Sequence, residues 1–437
     1  MGANHLLRSR ARGVQVFNIA GLIGTLALLL LLVNLQFVSF ETAAIALGIV
    51  LGIFLTQHSP SLALAIIMVL YFARGEYETL SLMSYVILGI VSTTSTLYLI
   101  AKRAFPLTPW VTVSILFLAW MSIRFASAGD LPSAVAVGAV SLTWPIVAKI
   151  LTSRSGIQRV FELTGLFFSA GIILTIPSWD PSLRFTGFSG NPNAMVFMAI
   201  LTLPFLISAW INSRSFARLL YSLSVFISVG AVIVSGSSQG YVALLIIGLG
   251  LCYLYGKRIV RAERRRLWIA LISVFLLSLG LLVGGLFRSS ELRDDLFTLS
   301  GRTPIHRAFF EAFFDAPFLG AGSRRASWGE TLDRTAHSSV FEVFYAGGAL
   351  AGLVWLGILV LLVIVGLRVL RSGHLWGASF LLLVLVQSVQ TVTFSLPAWI
   401  LIFFAMAIGG RRLAGRGASP IEVPFGAQFS ARSRTAR

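Results

Sequence analysis

Three short polar breaks in this chain carry residues able to hold an anion at the head of a helix. Gly190-Asn191-Pro192-Asn193 places Asn191 as a cap with proline at the first helical position. Ser235-Gly236-Ser237-Ser238-Gln239-Gly240 supplies several small polar groups just before an apolar run, and His337-Ser338-Ser339-Val340-Phe341-Glu342 spaces Ser339 and Glu342 as a capping box. Capping alone explains each break singly. Free N–H groups and the positive dipole end of a helix also suit a phosphate, so the three together predict a site for an anionic substrate. Asn191, Asn193, Gln239 and Glu342 are its candidate contacts.

Arginines on the same side strengthen this expectation. Residues 288–345 form a 58-residue stretch outside the membrane with seven arginines and eight acids, and a connection this long in a compact bundle is usually functional or disordered. Order is expected, because Thr303-Pro304 can start a helix on which Phe309, Phe310, Phe313 and Phe314 line one apolar face lying on the outer membrane surface. Arg302 is either a loop cation paired with Asp294 or Asp295, or a fork that grips a phosphate bidentately. His337 is either solvated or a proton acceptor. His306 reads as a surface residue, Arg124 and Lys149 as snorkelling or internally paired cations, and Glu162 as interfacial.

The elements that must position these residues are membrane spans. Of 437 residues, 57% are hydrophobic and 11% charged, against about 25% charged in a soluble domain. Runs such as 19–33, 268–287 and 350–367 are near the roughly 20 residues that cross a bilayer. The expected fold is an all-α polytopic membrane protein of about 12–14 transmembrane helices with one large extracytoplasmic loop containing short helices. Spans are expected near 14–33, 40–56, 60–73, 79–100, 108–128, 131–151, 160–177, 193–212, 219–235, 239–256, 267–287, 346–367, 375–392 and 394–410. In domain terms these are a bundle of about eleven spans over 1–287, the loop 288–345, C-terminal helices over 346–410, and a disordered basic cytoplasmic tail over 411–437.

Charge gives the orientation. The net charge of +18 would raise nucleic-acid binding in a soluble protein, but the basic residues lie in short clusters between apolar runs, as topology determinants do. With the N-terminus inside, 23 of the 34 basic residues fall on the cytoplasmic side and the short outer loops hold only Arg74 and Arg184. Both termini are therefore expected in the cytoplasm and the large loop outside the plasma (inner) membrane. Nucleic acid is not an expected partner; the bilayer is. The one cysteine, Cys252, sits in an apolar run, reads as a buried small residue, and leaves no disulfide framework.

From about Arg184 to Leu356 the sequence resembles the O-antigen ligase and O-antigen polymerase superfamily, membrane glycosyltransferases that act on lipid-linked sugars. The resemblance rests on Arg184-Phe-Thr-Gly-Phe-Ser-Gly-Asn-Pro-Asn193, on Ser300-Gly-Arg302 leading through an amphipathic helix to Ala316-Pro-Phe-Leu-Gly-Ala-Gly322, and on His337 followed by Phe341-Glu342 and a Gly-rich span. Residues 1–170 resemble the family only in being apolar. Where the family commonly has Ser-Arg-Gly, this sequence has Ser238-Gln239-Gly240, which leaves Arg184, Arg288 and Arg293 as candidates to supply the missing charge.

The resemblance implies transfer of a glycan from an isoprenoid-diphosphate donor to a glycan or glycolipid acceptor. His337 and Arg302 are then the expected catalytic residues, and Arg184, Asn191, Asn193, Gln239, Arg288 and Glu342 the substrate contacts. A guanidinium can balance the leaving diphosphate without a metal, so no metal or cofactor is expected. The alternatives are a transporter or flippase of lipid-linked oligosaccharide, a membrane scaffold, and a peptidoglycan-type polymerase. A transporter predicts polar residues inside the spans and symmetry between halves, whereas the polar chemistry here gathers in one outer loop.

Overall fold

The computed structural model describes residues 39–73, 78–102, 107–152, 156–180, 185–255, 302–323, 325–328, 332–335, 338–389 and 394–413. These form helices α1 (Phe40–His58), α2 (Pro60–Phe72), α3 (Glu78–Ala101), α4 (Pro109–Ser127), α5 (Leu131–Ser141), α6 (Thr143–Thr152), α7 (Ile157–Thr175), α8 (Pro192–Asn212), α9 (Ser215–Val234), α10 (Ser238–Tyr255), α11 (Arg302–Phe313), α12 (Ser339–Arg371), α13 (Gly377–Val389) and α14 (Leu396–Leu413). Strands β1 (Arg325–Trp328) and β2 (Leu332–Thr335) pair antiparallel, Arg325 opposite Thr335. The loop thus holds a small hairpin as well as a helix.

The protein is an all-α polytopic membrane protein. Among the described residues seven helical stretches are long and apolar enough to cross a bilayer: Met83–Ala101, Pro109–Ser127, Leu131–Leu151, Ile157–Ser178, Pro192–Asn212, Ser215–Val234 and Ser339–Arg371. Five shorter apolar helices accompany them. Exposed large residues such as Leu174, Phe216, Leu223 and Val135 are what lipid-facing helix surfaces require. The spans expected at 14–33 and 267–287 lie outside the described residues. So does the tail beyond Leu413, while residues 411–413 continue α14 rather than beginning a tail.

The chain divides into two compact units, residues 1–105, 142–149 and 158–241 in one and 106–141, 150–157 and 242–437 in the other. In the first, α8 is the core: residues Met195 through Ala209 are all buried. Asn191 caps it, accepting from the N–H groups of Asn193 at 2.8 Å and Ala194 at 3.3 Å, with Pro192 at the first helical position. Phe205 stacks on Phe161 of α7 with centroids 4.6 Å apart. Glu162, expected at the membrane interface, is buried within the protein. Its carboxylate accepts from Gln158 Nε2 at 2.6 Å and Tyr221 OH at 3.3 Å, and Arg159 Nη1 stands 3.5 Å away. The reason is pairing: a buried carboxylate is tolerated when donors surround it.

In the second unit α12 packs against α4, α13 and α14. Phe117, Trp355 and Trp399 form an aromatic stack with centroids about 6 Å apart. Cys252 is exposed on α10, not buried; at a lipid-facing position an apolar run no longer implies burial, because the solvent is itself apolar.

Candidate functional site

The first two polar breaks come together in the first unit. α8 and α9 are antiparallel neighbours, so the start of α8 and the turn from α9 into α10 share one end. There Ser237 Oγ donates to Asn193 Oδ1 at 3.5 Å. Ser189, Ser235 and Ser237 are buried around this junction. Ser189 Oγ donates to the carbonyl of Thr186 at 2.7 Å and to that of Asn191 at 2.8 Å, and Gly190 takes a left-handed conformation with φ +65°. Gly240 is held close to Val232 and Val196, where a Cβ would crowd both. Gln239 is half-buried at the head of α10. Asn191 is engaged as a cap, so its side-chain oxygen already serves the helix, whereas Asn193 and Gln239 stand on the first turns of α8 and α10.

The third break lies in the second unit. Helix α12 starts at Ser339, seven residues before the span expected from 346, because the capping residue is Ser338. The expected capping box does not form: the Ser338 side chain makes no cap bond, and Ser339, already inside the helix, donates its hydroxyl to Gln387 of α13. The hydroxyl leaves the helix end because Gln387, wholly buried, offers an acceptor across the interface. Glu342 is fully buried in the first turn of α12, where the dipole end favours a carboxylate. Gln387 and Ser338 were not singled out by sequence reasoning. A lone glutamine within an apolar run was the available signal for the first.

Helix α11 lies along the first part of α12. Arg302 is its first residue, and positions 302, 306, 309 and 313 share one helical stripe. His306 is half-buried and stacked on Phe341 at 4.7 Å, not a surface residue. Phe309 is buried against Phe341 and Tyr345, and Phe313 meets Phe344 edge-on at 5.8 Å. Phe310 and Phe314 are exposed, so of the face that the four phenylalanines share, the half at 309 and 313 packs on α12 and the half at 310 and 314 does not. On the opposite side Arg307 Nε contacts Glu311 Oε1 at 2.7 Å, both well exposed, and this bond holds the guanidinium's proton more firmly than usual.

Below this junction α12 is broken. Gly348 has φ +78° and ψ −177°, which splits the element into two helices. The segment 316–322 runs through the break as a strap. Ala321 N–H donates to Tyr345 O at 2.6 Å, Gly322 N–H to Ala346 O at 2.9 Å, and Ala349 N–H to Pro317 O at 2.7 Å. Trp120 Nε1 takes the Gly347 carbonyl at 3.1 Å, and Arg124 Nη2 takes that of Gly320 at 2.6 Å. Carbonyls freed by the break are therefore paired with strap or α4 donors. Arg124 is an internally paired cation, as one of its two expected roles required. The glycines of Ala316-Pro-Phe-Leu-Gly-Ala-Gly322 have the same explanation. Gly320 and Gly322 have φ +73° and +72°, and a Cβ on Gly320 would overlap the backbone of α12.

Arg184, Arg288 and His337 lie outside the described residues, and of Arg302 only the backbone position is described. Asn191, Asn193 and Gln239 thus gather at one junction of the first unit, and Glu342 with Arg302 belongs to the second.

Residues 223–356 match the family described as O-antigen ligase. The matched stretch begins in α9 and contains α11, the strap, the head of α12 and its break. No curated protein matches the chain.

Proposed function

We propose, from the O-antigen ligase superfamily membership that residues 223–356 support, that this membrane glycosyltransferase moves a glycan from an isoprenoid diphosphate to an acceptor hydroxyl outside the plasma membrane. The observation that carries the reading is the extent of the match: it includes Arg302, His337 and Glu342 in one stretch with the arginine-rich loop. In the proposed step the acceptor oxygen attacks the anomeric carbon of the donor sugar. The bond from that carbon to the diphosphate oxygen breaks with its electron pair going to the diphosphate, and the hydroxyl proton passes to His337. Arg302, with Arg184 or Arg288, balances the charge on the leaving diphosphate. Asn193, Gln239 and Glu342 are proposed as substrate contacts, and Asn191 as the cap that presents the start of α8 to them.

Purified protein incubated with isoprenoid-diphosphate glycans and candidate acceptors, with mass analysis of the products, tests the activity. Arg302→Lys keeps the charge but loses the planar fork, so transfer should fall severely, whereas Arg325→Lys in β1 should be milder. Full turnover by Arg302→Ala at matched expression would remove Arg302 from the mechanism.

The proposed orientation has both termini in the cytoplasm and residues 288–345 outside. In a Cys252→Ser background, a cysteine at Ser327 should react with an impermeant thiol reagent in intact cells and one at Ala262 should not. External labelling at 262 would invert the orientation and move the proposed reaction to the wrong side.

A further inference from the structure

The loop helix runs along the first part of α12, and its contacts show how far down that helix it reaches. His306 is opposite Phe341, Phe309 touches Phe341 and Tyr345, and Phe313 meets Phe344. The Pro317 carbonyl then receives the Ala349 N–H, and a Cβ on Gly348 would run into the Phe318 carbonyl. Moving from 306 to 318 thus follows α12 from 341 to 349, in the same direction. After Leu319 the chain reverses, since Ala321 and Gly322 pair with Tyr345 and Ala346. Among the described residues of the loop, 317–319 reach furthest along α12.

The depth of that point can be read from α12. Its far end carries Arg368 and Arg371, which mark one interface of the membrane. Counting back the roughly 20 residues that cross the hydrocarbon core reaches Gly348, the break itself. The crossing part shows a lipid-facing stripe of exposed Leu350 (71%), Leu353, Val360, Ile364 and Leu367. At the level of the break Phe318 is 80% exposed and Leu319 is exposed beside it, and Phe310 on α11 and Phe314 just after it are exposed too. Large apolar side chains are therefore exposed both on the crossing part of α12 and on the loop residues that reach its break. Arg307 and Glu311 pair on another face of α11.

We infer that the loop is re-entrant: Phe314, Phe318 and Leu319 insert into the headgroup–acyl boundary of the leaflet on the loop's side, extending the lipid-facing surface of α12 above its break. Irregular backbone at that depth is tolerated only where its polar groups are paired within the protein. The Ala321 and Gly322 N–H groups and the Pro317 and Gly320 carbonyls of the strap meet this condition through Tyr345, Ala346, Ala349 and Arg124. Phe and Leu are among the side chains that bury at the headgroup–acyl boundary. The partner of this surface is the lipid itself, independent of which reaction the protein performs.

Spin labels on single cysteines, in a Cys252→Ser background reconstituted into liposomes, test the inference. Oxygen partitions into acyl chains and a nickel chelate stays in water, so their relative access reports depth. Leu353→Cys, Phe318→Cys and Phe314→Cys should favour oxygen, in decreasing order, with Phe310→Cys shallower and Arg307→Cys favouring nickel. Access at 314 and 318 resembling that at 307 would place the loop in water and overturn the inference. Exclusion of both reagents at 314 and 318 would also overturn it, because protein would then cover the surface. Phe318→Trp, the gentler substitution, supplies a second reading: brominated lipids should quench its added fluorescence beyond that of the parent protein, and no added quenching would count equally against insertion.

Discussion

His337→Ala is expected to lower glycan transfer by about 10²–10⁴-fold, the contribution typical of a positioned proton acceptor, while leaving the protein folded. Groups other than residue 337 secure the helix that follows. Ser338 occupies the cap position, the Ser339 hydroxyl is bonded to Gln387, and Glu342 complements the dipole from the first turn. A stability change of at most about 1 kcal/mol is therefore expected, within the range of losing a cap, and donor binding should survive. The wild-type rate should fall as the pH drops below the histidine's pKa, ordinarily about 6.5, because protonation removes the acceptor. That acid limb should be missing from the residual activity of the variant. Glu342→Gln keeps the shape and removes the charge, which makes it the discriminating comparison. If it abolishes transfer while His337→Ala retains it, the carboxylate is the base. If neither changes transfer at matched expression, the head of α12 is not the catalytic centre and the transporter reading gains most.

Gly348→Ala should be the most damaging small substitution in the second unit. At φ +78° and ψ −177° the residue occupies a region open essentially to glycine alone, with a backbone cost of about 1–3 kcal/mol for any other residue. The new methyl would also collide with the Phe318 carbonyl. Relieving the collision separates the strap from α12 and unpairs the Ala349 N–H and the Pro317 carbonyl, each buried group costing about 1–3 kcal/mol when left without a partner. A large fall in the thermal midpoint in detergent, with protease cleavage appearing between 314 and 322, is the expected result. Gly357→Ala is the control: the same helix has open space there, and alanine is the better helix former by about 1 kcal/mol. Equal melting of the two variants would show that the break is not sterically defined.

The elements legible in the sequence were those governed by one-dimensional signals. Asn191-Pro192 marks the start of α8 because a cap and a first-turn proline act through neighbouring backbone, and the long spans follow from apolar length alone. What the sequence hid depends on partners far along the chain. Ser339 and Glu342 satisfy the spacing of a capping box, yet Ser339 turns to Gln387, 48 residues away. Four phenylalanines within six residues mark one apolar face but not the half of it, Phe309 and Phe313, that packs on α12. Glu162 gives no sign in the sequence of its donor Tyr221, 59 residues on. For the candidate site, residue types and the family resemblance suggest Asn193, Gln239, Arg302 and Glu342, whereas the division of these residues between two units follows from helix packing.

The strap also constrains the order of assembly during synthesis. Its residues leave the ribosome before the helix that receives them: 316–322 precede 345–349, while Trp120 and Arg124 are already in place. Until α12 has been made, the strap's N–H groups lack their acceptors. An isolated loop therefore cannot mature early, and its closure waits on insertion of the following span. Truncation ahead of residue 345 would leave every earlier element intact in sequence and the loop without its seat.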